Sequence, residues 1–381
     1  MRKIKSLLFI STLTFVPIFA LTLTYAVNET HLDRSKVPQG CSACHKGHGK
    51  KATVMLEQSK NDLCFKCHGP TKKGIVGEAK SDIYSVILKR SRHPVIQTAQ
   101  YHVPGETLPE RSSGVQRHVS CYDCHNVHLS TKDKLLHSAK GYSGRGVKVR
   151  DVQREHEVCY LCHSDSANLP PNSSNIALKF DPGNASFHPV ETYGKNRRVP
   201  SLKQPMSPSS KIDCTDCHGN DDRSGPKGPH GSNYPYLLKA NYTRESGPES
   251  NFAYELCYDC HSRDSILNDE SFSSHKRHVV HGRASCFSCH DSHGSRDTGN
   301  LIRFDSRIVF PNSKGQLVYM KAMPGKPKCF LSCHVAGSKY EHIIGDSSQQ
   351  APGDKQTAQS ATRRGQYCIH TQTHTNCPPG W

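Results

Sequence analysis

Hydrophobic positions are unevenly spread along this chain of 381 residues. One long apolar run, Leu7 to Ala26, follows the basic start Met1-Arg2-Lys3-Ile4-Lys5. A basic region before an apolar stretch is the pattern of a secretory signal, with Thr24-Tyr25-Ala26 as its cleavage site. An uncleaved anchor is the alternative, because about 20 apolar residues span a bilayer. No later segment is apolar enough to cross a membrane, and no cysteine precedes Cys41 to carry a lipid. Past Ala26 a repeated apolar pattern lies around cysteines. Leu63-Cys64-Phe65, Val158-Cys159-Tyr160 and Leu256-Cys257-Tyr258 each place an aliphatic residue before the cysteine and an aromatic after it, and Lys328-Cys329-Phe330 keeps only the aromatic.

Such a pattern does not fill an ordinary core. Only 34% of residues are hydrophobic, against about 45–50% in soluble domains. Low hydrophobicity also marks disorder, but this chain holds 18 cysteines and 25 histidines, which disordered chains do not accumulate. The composition excludes a plain α/β enzyme and points to a core supplied by metal or cofactor.

Sixteen of the 18 cysteines fall in eight short motifs. Seven read C-x-x-C-H: Cys41-Cys44-His45, Cys64-Cys67-His68, Cys121-Cys124-His125, Cys159-Cys162-His163, Cys214-Cys217-His218, Cys257-Cys260-His261 and Cys286-Cys289-His290. The eighth, Cys329-Phe330-Leu331-Ser332-Cys333-His334, has one extra residue. C-x-x-C alone fits zinc, a redox disulfide or a structural disulfide. The histidine decides: chance would place it after a given cysteine roughly once in fifteen, and it follows in all eight motifs. C-x-x-C-H is the attachment site of c-type haem, in which two thiols add to the porphyrin vinyl groups and the adjacent histidine ligates iron. Eight haem c groups are expected, with a Cys329–Cys333 disulfide as the alternative at the eighth.

The motifs repeat in pairs. First members are followed by His48-Gly49, His128-Leu129, His230-Gly231 and His293-Gly294, three of them in the form C-H-x-x-H. Second members are followed by another histidine. His93-Pro94-Val95 and His188-Pro189-Val190 each lie 25 residues past their motif histidine, the third pair offers His275 or His278, and His342 is nearest in the fourth. Eight irons have eight positions left after the motif histidines, and 17 further histidines are present. The candidate second ligands are His48, His93, His128, His188, His230, His278 (with His275 as its rival), His293 and His342. On a helical turn residues three apart lie on neighbouring faces, so His48, His128 and His293 are expected to serve another haem of their own pair. Methionine, whose ligation raises the potential, occurs in the exported part only at Met55, Met206, Met320 and Met323, none in a repeated place. Low-potential haems follow. The aromatics Phe65, Tyr122, Tyr160, Tyr258, Phe287 and Phe330 after the first cysteine are expected to cover porphyrin faces.

From Cys41 to His342 the sequence resembles the doubled C-x-x-C-H multihaem c-type cytochromes of dissimilatory metal-reducing bacteria. The resemblance implies a haem-packed, mostly irregular coil with short helices and little strand, four two-haem units in a row, and bis-histidine ligation. It implies electron transfer through the periplasm or outside the cell, with redox proteins or extracellular acceptors as partners and a homopolymer as a further form. In such polymers an N-terminal histidine ligates a haem of the next subunit, and His31 stands where such a donor would lie. The division expected is 1–26 signal, 27–105, 106–200, 201–282 and 283–345 as haem pairs, and 346–381 as a polar tail. In that tail Cys368 and Cys377 suit a disulfide, with a metal site the alternative.

The formal charge is +17. It does not point to nucleic acid, because each ferric bis-histidine haem brings a net charge of about −1 through its propionates, and about −2 when reduced. No motif carries Lys in place of its histidine and the further histidines are enough for every iron, so an electron carrier without catalytic residues is expected. The alternative is an octahaem oxidoreductase acting on a small nitrogen or sulfur compound, which would need one haem with an open position.

Overall fold

The computed structural model describes residues 31–47, 55–56, 60–70, 81–96, 119–131, 133–164, 174–320, 328–332 and 342–343. The chain is mostly coil with short helices and little strand, as expected. The longest described helices, Lys60–His68 and Glu155–His163, have nine residues, and no strand exceeds three. Among the described residues no helix is long and apolar enough to cross a membrane.

The helices are built by the motifs. In the third, fifth and seventh motifs a single turn runs from one cysteine to the other: Cys121–Cys124, Cys214–Cys217 and Cys286–Cys289. Each starts at a capping residue. Ser120 and Asp213 present their backbone N–H groups to Asp123 and Asp216 at 2.7 and 2.8 Å, and the Ser285 hydroxyl accepts from the Ser288 N–H at 3.2 Å. Caps of this kind satisfy donors that a one-turn helix would otherwise leave open. Each turn ends at the motif histidine, whose N–H closes the last bond onto the first cysteine's carbonyl while its own φ and ψ are already extended. The second and fourth motifs sit instead at the ends of the nine-residue helices, where Leu63 and Val158, the aliphatic residues of the repeated pattern, are buried.

Side-chain cores are small and lie against the cysteines. Tyr160, Ala177, Phe180 and Val190 pack beside Cys214. Ala253, Tyr254, Tyr258 and Val279 pack beside Cys257 and Cys286, and Ala139, Val152 and Val158 beside Cys124.

Two antiparallel ladders of two residues tie distant segments together. Ser91–Arg92 pairs with Gly231–Ser232, and Ser186–Phe187 pairs with Gly294–Ser295. The first joins the chain before the third and fourth motifs to the chain after the fifth, and the second does the same around the fifth and sixth. The glycine of the His-Gly element is a packing requirement in both. A Cβ on Gly231 would run into the backbone carbonyl of Val86, and one on Gly294 into that of Lys179. Near the C-terminal motif, Lys328–Phe330 lies between Val318–Met320 and His342–Ile343 in a three-stranded antiparallel sheet.

Gly231→Ala is expected to cost about 1–3 kcal/mol, as overpacking against backbone does. Denaturant unfolding would show a lowered midpoint, and an unchanged midpoint would show that the ladder yields without cost.

Candidate functional site

The structure brings the histidines together in facing pairs. Ring centroids are 6.1 Å apart for His31–His68, 6.2 Å for His45–His128 and for His125–His230, and 6.3 Å for His93–His163. They are 6.1 Å apart for His218–His293, 6.5 Å for His188–His261 and 6.4 Å for His275–His290. These separations are too wide for ring-on-ring contact. They match the roughly 6.3 Å expected when one metal sits between two imidazole nitrogens at about 2.0 Å from each. Each pair contains one motif histidine, and all seven C-x-x-C-H motifs are represented.

The remaining ring nitrogen of most of these histidines is held by the chain. Nδ1 of His125, His218 and His290 donates to the carbonyls of Leu135, Tyr236 and Asn300 at 3.1, 2.7 and 3.0 Å. His68 and His261 use the hydroxyls of Ser81 (2.9 Å) and Ser201 (3.0 Å). Across the pairs, His93 donates to the Pro229 carbonyl at 2.7 Å, His188 to that of Ser292, and His31 to that of Val127. An Nδ1 committed in this way fixes the tautomer and leaves Nε2 as the ligating lone pair. Those three carbonyls belong to the residues just before His230, His293 and His128. The same contact therefore ties together two histidines that belong to different facing pairs, and it recurs three times along the chain. Burial is the largest cause of the lowered pKa values of His31, His68, His93, His188, His218 and His290, and of the fall to about 4 at His230, His261, His275 and His293. They are neutral, as ligands must be.

The cysteines are arranged to match. The first cysteine of the second, fourth and sixth motifs touches the first cysteine of the following motif: Cys64 meets Cys121, Cys159 meets Cys214, and Cys257 meets Cys286. Glu155, Cys159 and Cys214 converge within 4.8 Å. Zinc does not fit this pattern, because in a zinc C-x-x-C both thiolates of one motif turn to one ion. Here the converging sulfurs come from different motifs. Burial also pushes the Cys124 and Cys217 thiols up to about 12. Two contacts set the spacing between motifs. The Asn61 side chain accepts from the Cys121 N–H at 3.3 Å and donates to the Val95 carbonyl at 2.7 Å, just past His93. The Glu155 carboxylate accepts from the Thr215 N–H (2.8 Å) and hydroxyl (2.6 Å). Burial raises the Glu155 pKa against the opposing pull of those bonds. The sites form one neighbourhood: His230 lies near His125, His93 and His68, His293 near His218 and His188, and His261 near His188 and His290.

Several expected residues sit elsewhere than the spacing suggested. His128 and His293 face His45 and His218, motif histidines of the preceding pair rather than of their own. The reason is local. The motif helix stops at the histidine, with φ −116 and ψ 129 at His125, so the next histidine is not carried on that helix. His275, not His278, faces His290. His278 turns its Nδ1 to the Ser274 carbonyl at 2.8 Å and stacks on Phe272 at 5.9 Å. Both lie beside a π-helical turn, Arg277–His281, whose widened pitch the spacing argument did not include. His31, expected as a donor to a second copy, faces His68 of its own chain. Its kinship with His93 and His188 is not marked by the His-Pro-Val signature, which it lacks. Tyr160 and Tyr258 do not simply present bare rings, since their hydroxyls bond Glu191 (2.7 Å) and Glu249 (3.0 Å). His48, Cys333, His334, the tail with Cys368 and Cys377, and the apolar N-terminus lie outside the described residues, and His342 enters only as backbone opposite Cys329.

Comparison with known proteins gives two family matches. Residues 35–73 and 114–168 match the doubled CXXCH motif family. Residues 147–301 match a family described as outer membrane cytochrome MtrC/MtrF-like, domains II/IV. The chain is 24% identical over 242 residues to multiheme cytochrome MtrA of Shewanella baltica (strain OS185), covering 62% of this chain and 51% of that protein. It thus spans about half the length of this curated relative. No solved structure matches.

Histidines whose pKa is lowered on folding bind fewer protons folded than unfolded between about pH 6.5 and 4. Their stabilisation is complete above that window and lost as pH falls through it. Acid titration followed by near-ultraviolet circular dichroism is expected to be flat from about pH 8 to 6.5 and to decline below. A signal that improves on acidification would contradict the buried neutral state.

Proposed function

This chain is a multihaem c-type cytochrome with doubled C-x-x-C-H motifs, similar to those of metal-reducing bacteria, and from that premise we propose that it is an exported electron carrier. Its haem c groups supply iron that passes between the ferric and ferrous states. The protein's part is to bind and orient them. Cys41/Cys44, Cys64/Cys67, Cys121/Cys124, Cys159/Cys162, Cys214/Cys217, Cys257/Cys260 and Cys286/Cys289 tether them, and the adjacent histidines ligate on one side. His128, His31, His230, His93, His293, His188 and His275 ligate on the other, taken in motif order. Cys329, Cys333 and His334 hold the eighth.

The observation that carries this reading is the facing of each of seven motif histidines by a second imidazole at 6.1–6.5 Å. Two neutral nitrogen ligands and no thioether favour low potentials. Filled positions on both sides suit outer-sphere electron transfer, whereas an oxidoreductase would need one position free. Cysteine contacts join the second motif to the third, the fourth to the fifth and the sixth to the seventh, and Cys44 lies near Cys64, Cys124 near Cys159 and Cys217 near Cys257, which supports a continuous relay from His45 to His290. Each ladder encloses three motifs, the third to fifth and the fifth to seventh, so the two overlap at the fifth motif and do not mark off two-haem units. Location in the periplasm or at the cell surface follows from the signal-like N-terminus, and redox proteins or extracellular acceptors are the partners this implies. With His31 turned to its own chain, the soluble carrier is favoured over the polymer.

Intact mass of the exported protein is expected to show eight haems and the loss of residues 1–26. Electron paramagnetic resonance is expected to show low-spin ferric haem throughout. His188→Ala is expected to keep the haem count and turn one haem high-spin, while His137→Ala, a histidine outside the facing pairs, leaves the spectrum unchanged. A substantial high-spin population in the unaltered protein would favour the oxidoreductase instead.

A further inference from the structure

A cavity opens beside His290, lined by Arg244, Arg303 and Arg307 together with Phe287, Asp291 and Asp305. Two of the three arginines are already paired with carboxylates. Arg303 pairs with Asp291 at 2.9 Å, a carboxylate that Lys179 also holds at 2.8 Å. Arg307 grips both oxygens of Asp305, at 3.0 and 2.8 Å. Arg244 forms no ion pair among the described residues. Its Nη1 donates to the Tyr236 hydroxyl, its guanidinium lies 3.9 Å from the centroid of the Phe287 ring, and its Nε is buried with no acceptor. The guanidinium thus brings to the cavity a charge that no described carboxylate pairs with, and an anion there would balance it.

The position of Arg244 is not accidental side-chain placement. Its own carbonyl accepts from the Ser285 hydroxyl at 2.6 Å. Ser285 is the cap of the Cys286–Cys289 turn, and Phe287 lies inside that turn. Backbone and side chain of Arg244 are therefore both tied to the seventh motif, and Arg244 lines the same cavity as that motif's histidine.

We infer that Arg244 anchors a carboxylate of the haem carried by Cys286 and Cys289 and raises that haem's reduction potential. The inference rests on the haem reading above. Reduction adds one negative charge to the haem and its ligands, and a fixed cation nearby favours the more negative state. Planar guanidinium geometry suits a carboxylate better than a lysine ammonium does.

The test uses the full holoprotein with Arg244→Gln, Arg244→Lys and, as an exposed control, Arg150→Gln. Intact mass and electron paramagnetic resonance first establish that haem number and low-spin state are those of the parent; failure of the parent itself on these measures would sink the haem reading rather than this one. Potentiometric titration is then expected to show one component displaced to lower potential in R244Q, partly restored in R244K and unmoved in R150Q. Curves for R244Q that superimpose on the parent would overturn the assignment. Titrations with and without inorganic phosphate are expected to coincide. A phosphate-dependent shift that requires Arg244 would assign the cavity to a free anion and equally overturn it.

Discussion

The fixed distance between two imidazoles is the constraint on which the rest of the chain depends. A metal between them tolerates little error in separation, and neither ring can drift or rotate without losing a nitrogen from the axis. The chain meets this demand with backbone carbonyls and serine hydroxyls that hold Nδ1 (Leu135, Tyr236, Asn300, Ser81 and Ser201 on the motif side, Pro229 and Ser292 on the other). These anchors are mostly main-chain atoms on irregular backbone. Regular secondary structure would consume the carbonyls that the histidines need. The scarcity of helix and strand is thus part of how the site is made.

The same economy explains the small cores. Clusters such as Ala253, Tyr254, Tyr258 and Val279 are of a size to brace a pair of cysteines, not to stabilise a domain by themselves. The larger apolar surface belongs to the porphyrins that the cysteines carry. The caps Ser120, Asp213 and Ser285 hold each one-turn helix in place where propensity alone would not. Asn61 and Glu155 then lock one motif's turn against the next, so local geometry at a motif becomes spacing between motifs.

Much of the chemistry was legible in the sequence, and the limits were specific. The C-x-x-C-H motifs and the repeated His-Pro-Val and His-Gly elements named the motif histidines and most of their facing partners, because a covalent attachment rule leaves a strict local signature. Pairing was not legible. It depends on where the one-turn helix ends, and His125 is already extended, so the helical reading of C-H-x-x-H fails at its first step. His31 escaped notice as an intramolecular partner because its link to Val127 is a backbone contact with no side-chain signature. The choice of His275 over His278 turns on a π-helical segment that spacing does not reveal. Gly231 and Gly294 were visible as a pattern, but the reason for them, close approach to the carbonyls of Val86 and Lys179, appears only in three dimensions.

The ladder between Ser91–Arg92 and Gly231–Ser232 has a consequence for how the molecule is made. Its two halves flank the third, fourth and fifth motifs, so it closes a long loop whose entropy must be overcome before the pairing returns anything. His93 and His230 cannot reach their stations until that loop shuts. The six cysteines of those motifs sit inside the loop, so they stay open to approach for as long as the ladder is unpaired, and the ladder acts as a latch over the enclosed attachment sites.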